Sequence, residues 1–287
     1  MSPTRNGSRL RLLERAVRAQ PHAGLRPASR RRGAVSTRVR SLGLPATVRA
    51  CLFDLDGVLT DTARIHAAAW KRVFDDYLRA RAAEDQADFV PFDPVGDYKE
   101  FVDGKPRDEG LRSFLASRRI ELPEGSSSSP AAEASIVGLG KRKNEIVLSL
   151  IGERGVKPYP GSVRYLHAAR TAGLRRAVVS SSENACEVLH AAGLAALVEA
   201  RIDGITIARE HLRGKPAPDS FLAAARALGV EPGRAAVFED ALAGVVAGRA
   251  GQFALVVGVD RAGQADALRD HGADLVVADL ADLLGRP

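Results

Sequence analysis

Asp54 and Asp56 stand two residues apart in the run Phe53-Asp54-Leu55-Asp56-Gly57, directly after the short apolar stretch Val48–Phe53. Two carboxylates at that spacing just past a strand can converge on one point, while Gly57 permits the tight turn that brings them round. One could attack an electrophile while the other moves a proton, and both could help hold a hard cation. An Asp/Gly-rich turn with solvated acids has the same composition, so the pair alone leaves both readings open.

Three further polar clusters share its setting. Ser180-Ser181-Ser182 follows Ala177-Val178-Val179 and leads into a helical stretch, where hydroxyls and free N–H groups suit a phosphate or serve as an ordinary N-cap. Lys215 lies in Gly214-Lys215-Pro216-Ala217-Pro218, a fixed positive charge for a phosphoryl group or merely an exposed lysine in a proline-rich loop. Glu239-Asp240 follows another apolar run, a pair fit for magnesium or for the dipole of the next helix.

The elements that must position these clusters are legible from the apolar pattern. Short valine-rich runs at Val48–Phe53, Ala177–Ser180, Ala235–Phe238, Phe253–Gly258 and Asp274–Val277 read as buried strands. Helical periodicity occupies 162–172, 184–192, 219–228, 241–249 and 265–270. This alternation predicts an α/β fold, a Rossmann-like parallel sheet with helices on both faces and right-handed crossovers. Ligands of such sheets sit beyond the carboxyl ends of the strands, so all four clusters should face one crevice. Between the first cluster and residue 160 the pattern is helical instead, at 62–81, Asp108–Ser117 and Arg142–Ile151. Residues 84–104 and the serine-rich Pro123–Ala134 read as loops, the second a flexible surface one.

Together the four clusters, in this order at successive strand ends, resemble the haloacid dehalogenase superfamily of phosphotransferases over roughly residues 48–280. The resemblance implies that Asp54 attacks phosphorus and forms an aspartyl phosphate, with Asp56 as acid–base. It further implies Mg2+ held by Asp54, the Asp56 carbonyl, Glu239 and Asp240, with Ser180, Ser181 and Lys215 on the phosphoryl oxygens.

The helical insertion is similar to that of the β-phosphoglucomutase-like family. Asp61-Thr62-Ala63-Arg64-Ile65-His66-Ala67-Ala68-Ala69-Trp70 looks like its first cap helix, Gly104-Lys105-Pro106-Arg107 like its specificity loop, and Lys141-Arg142-Lys143-Asn144 like a second cap signature. By this likeness Thr62, His66, Trp70, Gly104, Lys105, Arg107 and Lys143, with Ser182 and Asn184 of the core, contact substrate. His66 would position Asp56, and Arg107 would clamp a second phosphate. For Trp70 packing is the ordinary alternative, and for Lys143 a solvated helix face. The implied reaction converts β-glucose 1-phosphate to glucose 6-phosphate through a glucose 1,6-bisphosphate. A Mg-dependent sugar-phosphate phosphatase is the alternative, because one fold hosts both. Glu183 departs from the pattern: a carboxylate between Ser182 and Asn184 would repel a distal phosphate.

The 287 residues suffice for a large core domain (46–61 and 156–287) with an inserted cap (62–155). Net charge is +7, but residues 1–49 hold twelve Arg, no Lys and the single acid Glu14, leaving the remaining chain mildly acidic. Residues 1–45 therefore read as a disordered Arg-rich tail, with a transit peptide or an anionic-surface contact as other readings. A scaffold that binds nucleic acid through this tail is the non-enzyme alternative, and the intact acidic set argues against it. Cys51 and Cys186 have no disulfide or metal spacing and read as small buried apolar residues, which fits a cytoplasmic protein. No apolar run approaches the ~20 residues of a membrane span. A monomer acting on a small phosphorylated sugar is expected.

Overall fold

The computed structural model of the chain describes residues 38–285. Its centre is a six-stranded parallel sheet: β1 (Ala50–Phe53), β2 (Arg175–Val179), β3 (Ala200–Ile202), β4 (Ala235–Glu239), β5 (Leu255–Val259) and β6 (Leu275–Val277), in the order β3-β2-β1-β4-β5-β6. The fold is Rossmann-like α/β. β1 and β4 are apolar along their length apart from the terminal Glu239 and buried at every position, as strands covered on both faces must be.

Successive side chains divide between two cores. Cys51, Phe53, Val178, Ala236 and Phe238 face one side, against Tyr165 and Leu166 of α4 (Pro160–Thr171) and Val188 of α5 (Ala185–Ala191). Ala50, Leu52, Ala177, Val179 and Val237 face the other, against Phe221 and Ala224 of α7 (Asp219–Ala227). The chain builds outward from β1 through β2 to β3, then returns to the other side of β1 with β4. The strand order therefore reverses between β1 and β4, and a crevice opens beyond their carboxyl ends.

Three helices, α1 (Ala63–Asp85), α2 (Arg107–Ser117) and α3 (Ile136–Arg154), stand over that crevice. They share an apolar cluster of their own, in which Trp70, Phe74, Phe92, Phe114 and Val147 meet and the Phe74 and Phe114 rings lie 4.1 Å apart. α3 begins six residues ahead of the periodic stretch, because Ser135 caps it by accepting a hydrogen bond from Gly138 N at 3.1 Å. Gly138 and Gly140 hide that first turn from a propensity reading.

Other differences have equally local causes. Residues 84–104 are not all loop, since Tyr98–Val102 form a π-helical turn packed on α2. β3 and the short helix α6 (Gly204–Arg209) escape the apolar pattern, because an edge strand with Arg201 at its middle shows no apolar run. The serine-rich segment is a loop closed on itself, with Ser129 Oγ donating to Glu133 and Lys141 Nζ donating to the carbonyls of Ser127 and Ser129.

The expected tail ends earlier than residue 45. Val39, Leu42 and Leu44 are buried in the sheet core, Tyr165 donates to the Leu42 carbonyl at 3.0 Å, and Gly285 N donates to Ser41 O at 2.9 Å. These apolar residues are masked in composition by the arginines around them. The expectations for residues 1–37 lie outside the described residues. Cys51 is buried and Cys186 only half-buried, its Sγ 3.7 Å from His190 Nδ1. Among the described residues no helix is long and apolar enough to cross a membrane.

Candidate active site

β1 delivers Asp54 to the crevice because its backbone continues the ladder by one bond, Asp54 N donating to Phe238 O at 2.9 Å. β4 delivers Glu239 beside it in the same way, and Asp240 follows at the turn. Asp54, Glu239 and Asp240 each present a carboxylate oxygen within 4.8 Å of the others, and all three are buried. Gly57 makes this possible: its φ is +95°, and a Cβ there would lie 1.8 Å from Asp240 Oδ2. Gly244 serves Glu239 likewise, since a Cβ there would fall 1.7 Å from its Oε1.

Lys215 lies beneath this cluster. Its Nζ donates to Asp54 Oδ1 and Glu239 Oε1, both at 2.5 Å, and to the Val179 carbonyl at 3.3 Å. Two carboxylates thus share one ammonium, with the third, Asp240, clustered beside them. Burial, opposed by Lys215 and reinforced by Glu239 and Asp56, pushes the Asp54 carboxyl up. Burial, Asp103 and Glu239 do the same to Asp240. Attraction from Asp54 and Glu239 outweighs burial at Lys215 and raises its pKa, so it stays charged.

Asp56 sits in a different environment. Thr62 Oγ1 donates to its Oδ1 and Ser180 Oγ to its Oδ2 at 3.1 Å. Burial would raise this carboxyl, but His66, Thr62 and Ser180 outweigh it and hold the group below the usual carboxylate range. His66 itself is kept below its ordinary value, first by burial and then by Lys143. Lys143 Nζ lies 2.8 Å from His66 Nδ1; as an ammonium it can only donate there, which assigns the ring proton to Nε2. That atom is 3.4 Å from Asp56 Oδ1, beyond hydrogen-bond range, and is buried without a partner.

These groups open onto a cavity of about 420 Å³ between the sheet and the three helices. Of the residues singled out in the sequence, Asp54, Asp56, Glu239, Asp240, His66, Trp70, Gly104, Lys105, Arg107, Lys143, Ser181, Ser182 and Asn184 all line it. Trp70 is both wall and core: it stacks on Phe74 at 5.0 Å, while Lys143 Nζ stands 4.9 Å over its ring. Lys105 lines the wall but turns its ammonium to Ser113 Oγ at 3.0 Å.

Three residues lie behind the wall. Thr62, expected against substrate, is buried and donates its hydroxyl to Asp56. Ser180 and Lys215, expected on phosphoryl oxygens, are spent on Asp56 and on the Asp54–Glu239 pair.

No motif in the sequence points to Tyr98 and Asp103, which line the cavity from the π-helical turn and its C-terminal cap. Burial and then Glu239 push the Asp103 carboxyl up to about 7. Their only signal was aromatic and acidic composition in an apparent loop. Loop and helices also touch directly: Ser181 Oγ donates to Gly104 O at 2.8 Å, Asn184 Nδ2 to Asn144 Oδ1 at 2.9 Å, and Arg107 pairs with Glu183 through both terminal nitrogens.

Comparison with known proteins agrees with this architecture. Residues 48–252 match the haloacid dehalogenase-like hydrolase family. The β-phosphoglucomutase of Mycobacterium tuberculosis is 58% identical over 250 residues, which cover 86% of this chain and 95% of that protein. The β-phosphoglucomutase of Bacillus subtilis is 36% identical over 238 residues, 82% of this chain and 92% of its own. Among solved structures, a β-phosphoglucomutase from Clostridium difficile superposes with a TM-score of 0.64 at 28% identity, covering 82% of this chain and 93% of that one. The chain is an enzyme of the haloacid dehalogenase-like hydrolase family and belongs to its β-phosphoglucomutase-like members.

Proposed function

We propose that the chain interconverts β-glucose 1-phosphate and glucose 6-phosphate, with Asp54 as nucleophile. The observation that carries this reading is that one cavity is lined both by the acidic cluster with Asp56 and by Arg107, Ser182, Asn184 and Lys143, which we read as its two ends. A phosphatase needs only the first end. A mutase must hold a sugar that carries, in turn, a phosphate at each end. The relatives named β-phosphoglucomutase support the same choice.

The donor set of Asp54, Glu239 and Asp240 fits Mg2+, being all oxygen, closely spaced and richer in negative charge than Lys215 can balance. When bound, the ion would neutralise charge so that a phosphate can approach these carboxylates. In the proposed cycle Asp54 forms a bond to phosphorus as the leaving oxygen departs, and the aspartyl phosphate then passes the group to a sugar hydroxyl. Asp56, ionised when the phosphoenzyme meets its sugar, takes the proton of that hydroxyl and returns it to the leaving oxygen when Asp54 next attacks phosphorus, which closes the cycle. His66 and Thr62 orient Asp56. Lys215 fixes Asp54 against Glu239, and helices α1–α3, read as a cap, exclude the water that would otherwise hydrolyse the intermediate.

Supplying β-glucose 1-phosphate, Mg2+ and a trace of β-glucose 1,6-bisphosphate should yield glucose 6-phosphate without stoichiometric inorganic phosphate. Release of phosphate alone would replace the mutase by a sugar-phosphate phosphatase. One observation favours that second reading, the Glu183 carboxylate on Arg107.

Lys143 adds a pH dependence. Burial first, then Arg107, pushes its ammonium down to about 7. It is charged below that pH and neutral above it, so KM for a sugar phosphate should rise several-fold between pH 6.5 and 8.5. Lys143→Met should raise KM throughout and flatten the step. Stability moves the other way. Between about pH 7 and the ordinary lysine value the unfolded chain holds this proton and the folded one does not, so this group's contribution rises with pH. Initial rates and thermal unfolding across that range check both signs.

A further inference from the structure

Arg107 does not offer the cavity a free fork. Its Nη1 and Nη2 donate to Glu183 Oε2 and Oε1 at 3.1 and 3.0 Å, and its Nε faces Asp108 Oδ1 at 3.4 Å. Two parallel N–H bonds to one carboxylate are the geometry a phosphate would demand of the same guanidinium. The two anions therefore cannot share it.

Glu183 reaches Arg107 because the loop after β2 is held in place. Ser181 and Asn184, on either side, hydrogen-bond across to the helical layer, to Gly104 and Asn144. From below, the loop rests on Gly204, where a Cβ would come within 2.8 Å of Ser181 O and 2.9 Å of Glu183 N. The Glu183 side chain is 44% exposed and that of Arg107 23%, so the pair is screened and exchangeable, and a released Glu183 carboxylate can turn to water.

We propose that Glu183 sets affinity and specificity at the far end of the cavity: its carboxylate occupies the Arg107 fork, and a ligand's second phosphate binds by displacing it. This rests on the reading that the cavity holds a sugar phosphorylated remote from Asp54. A neutral hydroxyl at that end competes poorly with a carboxylate for a guanidinium, whereas a phosphate dianion competes well. Glu183 thus discriminates in favour of doubly charged far ends and weakens binding of all of them. Displacement precedes chemistry and persists through it, so its cost falls on ground state and transition state alike. It should therefore appear in KM and leave kcat alone.

The test compares Glu183→Gln, which keeps the shape without the charge, with Glu183→Lys, which reverses it. KM for β-glucose 1-phosphate should fall about three- to tenfold in the first, and further in the second, with kcat within about twofold of the parent. Hydrolysis of acetyl phosphate, which has no far end, should not change. Binding alone is read in an Asp54→Asn background through the fluorescence of Trp70, the single tryptophan of the chain. There the dissociation constant for glucose 1,6-bisphosphate should fall by the same factor, and the gain should vanish when Arg107→Ala is added. Bisphosphate binding unchanged or weakened in both variants overturns the proposal. So does a tightening that persists in full when Arg107→Ala is added, which would mark a general charge effect. If the parent enzyme makes no glucose 6-phosphate, the mutase reading fails on its own, while the fluorescence titration still decides the role of Glu183.

Discussion

Asp54→Asn should abolish turnover of every phosphorylated substrate, by roughly 10⁴-fold or more, since a covalent nucleophile leaves no partial route when removed. The amide is isosteric and keeps an oxygen for Lys215, so the fold should survive. Asp54 is one of three clustered buried carboxylates, two of which pair with a single ammonium, and its own carboxyl is already pushed up by burial. Removing one charge from that cluster should leave stability within about 1 kcal/mol of the parent, the amide replacing a partly frustrated ion. The measurement is kcat for the mutase reaction beside Tm of the same preparation. Full turnover in Asp54→Asn would end the whole reading. Lost turnover with a collapsed Tm would mean that the residue is structural first.

The second large effect belongs to Lys215, and it is one of stability as much as activity. Its ammonium lies 2.5 Å from both Asp54 and Glu239, fully enclosed. Lys215→Met fills much of the same volume and can keep the packing on Phe221, whose ring the ammonium faces at 5.0 Å. What it removes is the compensation of two buried carboxylates. Breaking a buried pair from one side costs about 3–5 kcal/mol, a large part of the 5–15 kcal/mol that holds a typical domain together. For a chain of this size that is a fall in Tm of roughly 6–20 °C. The sign can be tested twice over. Acid should narrow the deficit, because protonated carboxylates need no counter-charge, and millimolar Mg2+ should narrow it at neutral pH by supplying one. A Lys215→Met protein with the parent's Tm in chelator at pH 8 would show that the ammonium is dispensable to the fold.

How far the sequence could be read follows from what kind of information each residue carries. Strands β1, β2, β4, β5 and β6 announced themselves because a parallel sheet covered on both faces needs uninterrupted apolar runs, and such runs are local. β3 did not, because an edge strand can carry Arg201 at its centre. The four polar clusters were equally local, each following its strand directly, and the structure gathers their carboxylates and serines at one crevice. The buried residues near position 40 were lost for the opposite reason: charge averaged over a window cannot show that Val39, Leu42 and Leu44 point inward together.

Asp54 and Asp56 show the division most clearly. Sequence alone determined that Asp54 and Asp56 follow a strand, that a lysine and a second acidic pair follow others, and that helices intervene before residue 160. Those are facts of spacing and periodicity, and they suffice for the fold class, while the family rests on the likeness of the four motifs to known proteins. Only the tertiary structure decided that the two carboxylates differ. Asp54 shares Lys215 with Glu239 in a crowded acidic cluster, while Asp56, two residues on, is held low by the nearby His66 ring and by the hydroxyls of Thr62 and Ser180. It also decided that Glu183 grips Arg107 instead of merely facing a phosphate. Protonation and pairing depend on distances between groups such as Asp54 and Lys215, 161 positions apart in the chain, and no local pattern contains them.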